Sequence, residues 1–160
     1  DYFGRQQALP RCLHLLMGQK QERTPTWYGM FLETGERTAA VDVMQKAWTG
    51  DWPSHQAPKI HSLRLNAEES PKSIEGAVNQ VFHAEVHATE SDDHLISWRV
   101  REEVPTALQS DGGDFEPTPP TIEAVIGTQN RQFNFQLSEP GEYRLFCQID
   151  TPHDLSLIHI

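Results

Sequence analysis

Cysteine is scarce in this chain of 160 residues: it has two, Cys12 and Cys147. They fall in segments that read as different modules. That excludes a disulfide framework and leaves two buried free thiols as the reading. Long apolar runs are missing, so no stretch is long enough to span a membrane as a helix, and no membrane partner is expected. Basic residues are few, 13 Lys+Arg against 23 Asp+Glu. Nucleic-acid binding needs a basic footprint, so no nucleic-acid partner is expected. The acidic balance suits a protein that meets neutral ligands. No charged-then-apolar leader opens the chain. Asp1 stands where a methionine would, which fits a fragment, so the missing leader excludes nothing. No phosphate-binding glycine loop occurs, and Gly112–Gly113 reads as a turn. No cofactor is expected.

The residues present fall into two kinds of pattern. Residues 12–17, CLHLLM, are a short apolar run that fits a buried strand. Next comes GQKQERTPTWYGMF, residues 18–31, which mixes Lys20, Glu22 and Arg23 with Trp27, Tyr28 and Phe31 and fits no period. From residue 38 the spacing turns helical. Ala40, Val41, Met44, Ala47 and Trp48 share one face, Thr38 is placed to cap the start and Gly50 to end it. Residues 12–50 thus form a strand, a loop and a helix. One βα unit cannot bury itself. Residues 51–58, DWPSHQAP, read as a linker.

After the linker the period changes to two. IHSLRL (60–65), VFHAEVHA (81–88), LISWRV (95–100), FNFQL (133–137) and YRLFCQI (143–149) alternate, with turns at 91–94 and 138–142. Five such strands predict an antiparallel sandwich. Phe82, Ala84, Val86, Ala88, Ile96, Trp98, Val100, Phe133, Phe135, Leu137, Tyr143, Leu145, Cys147 and Ile149 point inward, and Phe146 is the one outward aromatic. Residues 102–128 hold several prolines and glycines and read as one long loop, either functional or flexible. Residues 155–160, LSLIHI, resemble when back-translated the transposon-end adapter of sequencing libraries. They are set apart as an assembly scar, with a short apolar strand as the alternative.

TWYGMFLETGERTAAVDVMQKAWTGDWP, PKIHSLRLN, GGDFEPTPP and GEYRLF together resemble the C-terminal part of bacterial TIM-barrel glycoside hydrolases, those of family two and its relatives. The likeness covers residues 12–154 and is densest over 18–53 and 95–146. It departs from the family pattern in residues 1–17, which look garbled, in the TESDDH turn (89–94), and in the tail that stands where a final strand belongs. It implies a mainly β chain. Residues 1–50 would be the last strand-loop-helix unit of a TIM barrel, 51–58 the linker, and 59–154 an incomplete immunoglobulin-like sandwich. It also implies secretion, extracellular or periplasmic, and two partners: a poly- or oligosaccharide and the missing barrel portion of the parent chain.

Under that resemblance, GQKQERTPTWYG follows the last barrel strand, and such loops build the active face of the barrel. Trp27 and Tyr28 would be stacking platforms for sugar rings, with Gln19, Glu22 and Arg23 as polar contacts. The structural alternative pairs Glu22 with Arg23 and has Trp27 cap the barrel. Glycoside hydrolysis needs two carboxylates roughly 5–10 Å apart. Glu22 is alone near a strand end, so no catalytic residue is expected and the fragment reads as non-catalytic. His83 and His87 share a strand face at about 13 Å, too far apart for one metal, and His61 does not change that. Asp92, Asp93, Asp111 and Asp114 lack calcium-loop spacing. Tyr143 and Trp98 read as core residues, Tyr143 with a bond back to the backbone at the strand corner. A stand-alone binding or spacer sandwich is the alternative function. Outward strand positions are mostly His, Glu, Arg, Asn and Gln, which favours a spacer over a binder. A protein–protein adhesion module rests on fold analogy alone.

Overall fold

Strong period-two segments fold as the sequence predicts. The computed structural model describes residues 18–19, 21–25, 29–89, 91–109 and 116–152, and the backbone of 154–159. The expectations for residues 1–17, Trp27, Tyr28, Asp111, Asp114 and Phe115 lie outside the described residues. In chain order the elements are β1 (Arg37–Thr38), α1 (Ala39–Thr49), β2 (Ile60–Leu65), β3 (Glu68–Glu69), β4 (Val81–Ala88), β5 (Leu95–Glu102), β6 (Thr121–Thr128), β7 (Gln132–Gln136), β8 (Tyr143–Asp150) and β9 (Asp154–His159), with a 3-10 turn at Thr106–Leu108. The protein is mainly β.

The strands form two sheets, ordered β1-β9-β8-β5-β6 and β3-β2-β4-β7. All pairs are antiparallel except β1 with β9. The inner faces meet in one core. Ile96, Trp98, Val100, Leu145, Cys147 and Ile149 come from one sheet, and Leu63, Leu65, Phe82, Ala84, Val86, Phe133 and Phe135 from the other. Each large side chain buried there stabilises the fold by roughly 1.5–3 kcal/mol. An aromatic chain crosses the gap between the sheets. Trp98 stacks on Phe133 at 5.8 Å, Phe133 on Phe135 at 5.5 Å, and Phe135 on Phe82 at 5.2 Å. The Trp98 indole N–H donates to the Asn130 carbonyl at 3.3 Å, which satisfies its one polar atom. The Tyr143 hydroxyl donates to the Glu139 carbonyl at 3.1 Å, the corner bond that the sequence predicts.

Several expectations need correction. The stretch 102–128 is not one loop, because Thr121–Thr128 is a strand paired with β5. It is solvent-exposed on both faces, so its β-branched residues carry no alternation to read. Phe146 does face away from the core, yet it is only 4% exposed. It is covered in part by Arg101, whose guanidinium lies 5.6 Å from the ring centre. Lastly, Asp154–His159 is not left outside the sheets. It runs antiparallel to β8, with Phe146 opposite His159 and Asp150 opposite Leu155. An open β8 edge accepts any apolar, β-competent hexapeptide, whatever its origin.

The helix is capped as its sequence requires. Thr38 Oγ1 accepts from the Ala40 amide at 3.3 Å, and Gly50 closes the C-terminus at φ +84°, its amide donating to the Lys46 carbonyl at 3.1 Å. Its packing differs from the expected stripe. Val41 and Met44 are half-buried, but Ala47 and Trp48 are exposed, Trp48 by 75%. The one buried side chain of α1 is Asp42, whose Oδ2 accepts from the Ala57 amide at 2.7 Å. This bond fastens the linker to the helix. Trp52, just past the helix, is 50% exposed.

Candidate functional site

Residues 21–24 dock through Gln21 and Arg23 on described residues of the loop between β5 and β6. Glu22 and Thr24 exchange backbone hydrogen bonds of 3.1 and 2.6 Å, which pinches the chain into a tight turn. Arg23 sits at its apex with φ +56°, a left-handed conformation that disfavours side chains with a Cβ. A non-glycine residue stays there when its surroundings hold it. Two contacts from the β5–β6 loop do so. The Arg23 amide donates to a Glu116 carboxylate oxygen, and Arg23 Nη2 donates to Gln109 Oε1 at 2.8 Å. Gln109 is itself fixed, its Nε2 donating to the Val104 carbonyl at 2.9 Å. Thr118 Oγ1 donates to Gln21 Oε1 at 3.4 Å.

The sequence-predicted contacts therefore divide. Arg23 joins a cluster with Gln109 and Glu116. Gln19 folds back locally, its Nε2 donating to the Pro25 carbonyl at 3.1 Å. Glu22 lies in the pinched turn, half-buried. Arg23 sends Nη2 of its guanidinium to Gln109. Trp27 and Tyr28 lie outside the described residues. Sequence reasoning misses Gln21, Gln109, Glu116 and Thr118. The only signal for the last three is the length of the loop that carries them.

This cluster is built to hold chain segments together. Glu116 is 1% exposed, so its carboxylate is closed to a substrate in this conformation. Its chemistry is that of a charge-assisted acceptor for a backbone amide. Gln21 Nε2 is buried without a hydrogen-bond partner, leaving both of its N–H donors unsatisfied. The rest of the segment anchors toward the helix. Thr38 donates from its amide to the Met30 carbonyl at 2.9 Å and from Oγ1 to the Gly29 carbonyl at 3.2 Å. A Cβ at Gly29 would lie 2.9 Å from the Gly18 carbonyl oxygen, so the two backbone runs cross where glycine alone fits.

The polar groups on the outer face of β4 are taken up by neighbouring side chains. His83 Nδ1 contacts Asn134 Oδ1 at 2.8 Å, and His87 Nε2 contacts Glu85 Oε2 at 3.3 Å. The Gln132 amide, with smaller help from His87 and Arg64, holds the Glu85 carboxyl below its usual range despite desolvation. Among the described residues no group of three or more His, Cys, Asp or Glu side chains could hold a metal ion. A hollow of about 350 Å³ lies at the Tyr143 corner between Glu102–Thr106 and Glu139–Tyr143. It is strongly acidic, and Glu103 is already paired with Arg144 at 2.5 Å. Burial pushes the Cys147 thiol far up, so this free cysteine is unreactive packing.

A scan against protein-family models finds no match to this chain, and a search of curated proteins finds no relative.

Proposed function

We propose that this chain is the C-terminal accessory part of a secreted carbohydrate-active enzyme of the glycoside hydrolase type. In this reading the sandwich is immunoglobulin-like, residues 1–50 are the last unit of a TIM barrel, and the chain itself does not catalyse. One observation carries the proposal: α1 turns Asp42 inward and leaves Trp48 in water, while the sandwich closes its core without any help from the helix. An amphipathic helix whose indole finds no cover is shaped for a core other than the one beside it. The motif resemblance over 18–53 names that other core as the barrel. The Tyr143 corner supports an immunoglobulin-like sandwich. In this reading saccharide contact rests on Gln19, Glu22, Arg23, Trp27 and Tyr28, in the loop that would follow the last barrel strand.

The exposed aromatics separate this reading from that of a free-standing module. A sugar-binding sandwich displays aromatic side chains on a sheet face. Here the described aromatics of both sheets are covered, and the exposed indoles, Trp48 and Trp52, belong to the helix and linker. Among stand-alone readings this favours a spacer over a binder.

The test is to sequence the source DNA on both sides of this reading frame. The expected result is an upstream frame encoding a barrel with two strand-end glutamates. An in-frame start close to Asp1 overturns the enzyme reading and leaves a spacer module. Separately, turnover of aryl glycosides by this chain above background overturns its non-catalytic assignment.

A further inference from the structure

Arginines gather on the outer face of the five-stranded sheet. On β5, Ile96, Trp98 and Val100 enter the core, so Arg99 and Arg101 lie on the opposite face. The β5–β8 register sets Arg101 against Arg144 and Arg99 against Phe146. Directly opposed side chains of antiparallel strands stand about 4.5–5.5 Å apart at Cβ, and like charges so placed are destabilising. Neighbours along one face of a strand lie roughly 7 Å apart. Cations thus crowd one patch of a chain whose net charge is −10. Arg144 has a bonded carboxylate, that of Glu103. Among the described residues no carboxylate pairs with Arg99 or Arg101. Asp150 lies within electrostatic reach of Arg99, but its Oδ1 is taken by Gln148 Nε2 at 2.6 Å.

Both guanidiniums are held in place and keep donors to spare. Arg101 Nε donates to Thr121 Oγ1 at 3.3 Å, and its guanidinium carbon lies 5.6 Å from the Phe146 ring centre. Arg99 Nη1 donates to Gln148 Oε1 at 3.1 Å. Among the described residues nothing accepts from either Nη of Arg101, or from Nε and Nη2 of Arg99, and these atoms remain open to solvent. Burial, with repulsion from Arg99 added, pulls the Arg101 guanidinium below its usual range. The charge is therefore held at a cost that a bound anion relieves. We propose that Arg99 and Arg101 form a carboxylate-binding site on this face of the sheet. The two Nη groups of Arg101 make a planar fork that matches the two oxygens of a carboxylate, and Arg99 adds a contact from the next position on the same face.

The carrier of the carboxylate is an acidic sugar, a uronate residue; this part rests on the reading of the chain as an accessory part of a carbohydrate-active enzyme. The patch offers no ring on which a neutral sugar could stack, because Phe146 is buried. Its charge must do the binding, and among sugars a uronate supplies the opposite charge in planar form. A few charge-assisted hydrogen bonds on an open face, in a chain that repels anions at long range, give a dissociation constant on the order of 1–10 mM.

The test is a titration of the full, nitrogen-15-labelled chain with sodium trigalacturonate, followed at the arginine Nε–H resonances. Those of Arg99 and Arg101 should shift and saturate in the low millimolar range, and maltotriose should leave them unmoved. Arg101→Lys keeps the charge and loses the fork, so binding read at Arg99 should weaken about tenfold, the worth of one charge-assisted hydrogen bond. Lys72→Gln, which removes an exposed cation between β3 and β4, should leave binding unchanged. No shift with trigalacturonate or with sodium acetate overturns the proposal, and so does an equal shift with maltotriose. Unchanged affinity in Arg101→Lys with a native circular-dichroism spectrum also overturns it. If that variant loses its native spectrum, Arg99→Gln provides the second reading, read at Arg101: about tenfold weaker binding is expected, and unchanged binding overturns the site. Sodium acetate separates the site from its ligand. Acetate that binds as tightly as trigalacturonate keeps the carboxylate site and overturns the uronate.

Discussion

Replacing Trp98 with phenylalanine probes the junction on which both sheets depend. Trp98 is 0% exposed, stacks on Phe133, and faces Cys147 across the β5–β8 ladder. The substitution removes roughly 40 Å³ of side chain. At about 24 cal/mol per Å³ the residual cavity costs about 1 kcal/mol. The lost apolar transfer adds about 1 kcal/mol. The indole hydrogen bond adds about 0.5 kcal/mol, at the low end of the usual range because Asn130 is exposed and its carbonyl turns to water. The expected destabilisation is therefore about 2.5 kcal/mol. Urea unfolding followed by far-ultraviolet circular dichroism measures it, with an unchanged denaturant slope. Trp48→Phe is the matched control. It removes the same atoms from a site that is 75% exposed, and should shift stability by less than about 0.5 kcal/mol. Equal costs for the two substitutions, or a Trp98→Phe cost below about 1 kcal/mol, would refute the sheet packing described above.

Three further outcomes are expected. Gly76→Ala places a Cβ 2.9 Å from Phe82 Cε1, against a ring stacked on Phe135, and should lower stability by about 1–3 kcal/mol in the same urea assay. Burial, with Glu36 adding repulsion, holds the Asp150 carboxyl above its usual range although Gln148 donates to it. The unfolded chain therefore releases this proton at lower pH, and the charge is a penalty that grows as pH rises through the ordinary carboxylate range. Asp150→Asn should raise the melting temperature by about 1–2 °C at pH 7 and leave it unchanged near pH 3; a gain of equal size at both would contradict that linkage. Glu116→Gln keeps an acceptor for the Arg23 amide but loses the charge and brings a second donor into a closed site. Amide exchange at Arg23 should accelerate at least tenfold while the β5 and β8 amides stay protected; equal rates would mean that Glu116 does not hold the turn.

What the sequence revealed depended on whether one face of an element was dry. β2 and β4 begin and end at the predicted residues because their alternation reports a buried face directly. The caps of α1 were legible for a similar reason: Thr38 and Gly50 act within one turn of chain. β6 was hidden because both of its faces are wet, so its residues obey no period. Phe146 was placed on the correct side of β8 and given the wrong surroundings, since alternation assigns a face and not its cover. The helix misled in another way. Its apolar spacing is real, but Trp48 at the end of that stripe stays exposed, and Asp42 turns inward instead. At the candidate site the sequence picked out Arg23 and missed its partners. Gln109 and Glu116 lie 86 and 93 residues away, a separation that no local pattern encodes.

The pairing of β5 with β8 shapes how this chain must fold. Leu95 faces Asp150 and Glu102 faces Tyr143, so the two strands that carry Trp98 and Cys147 meet across roughly forty to fifty-five residues of intervening chain. Local contacts form first and distant ones wait for loop closure, which puts such topologies in the millisecond-to-second range. During synthesis β2 and β4 emerge early and can pair at once. Their apolar face, with Leu63, Leu65, Phe82 and Val86, then stays uncovered until residue 150 has left the ribosome. At about 5–20 residues per second that interval is several seconds. Over that time the half-built sandwich is a nascent sheet with a sticky side, and the step that ends its exposure is the arrival of β8.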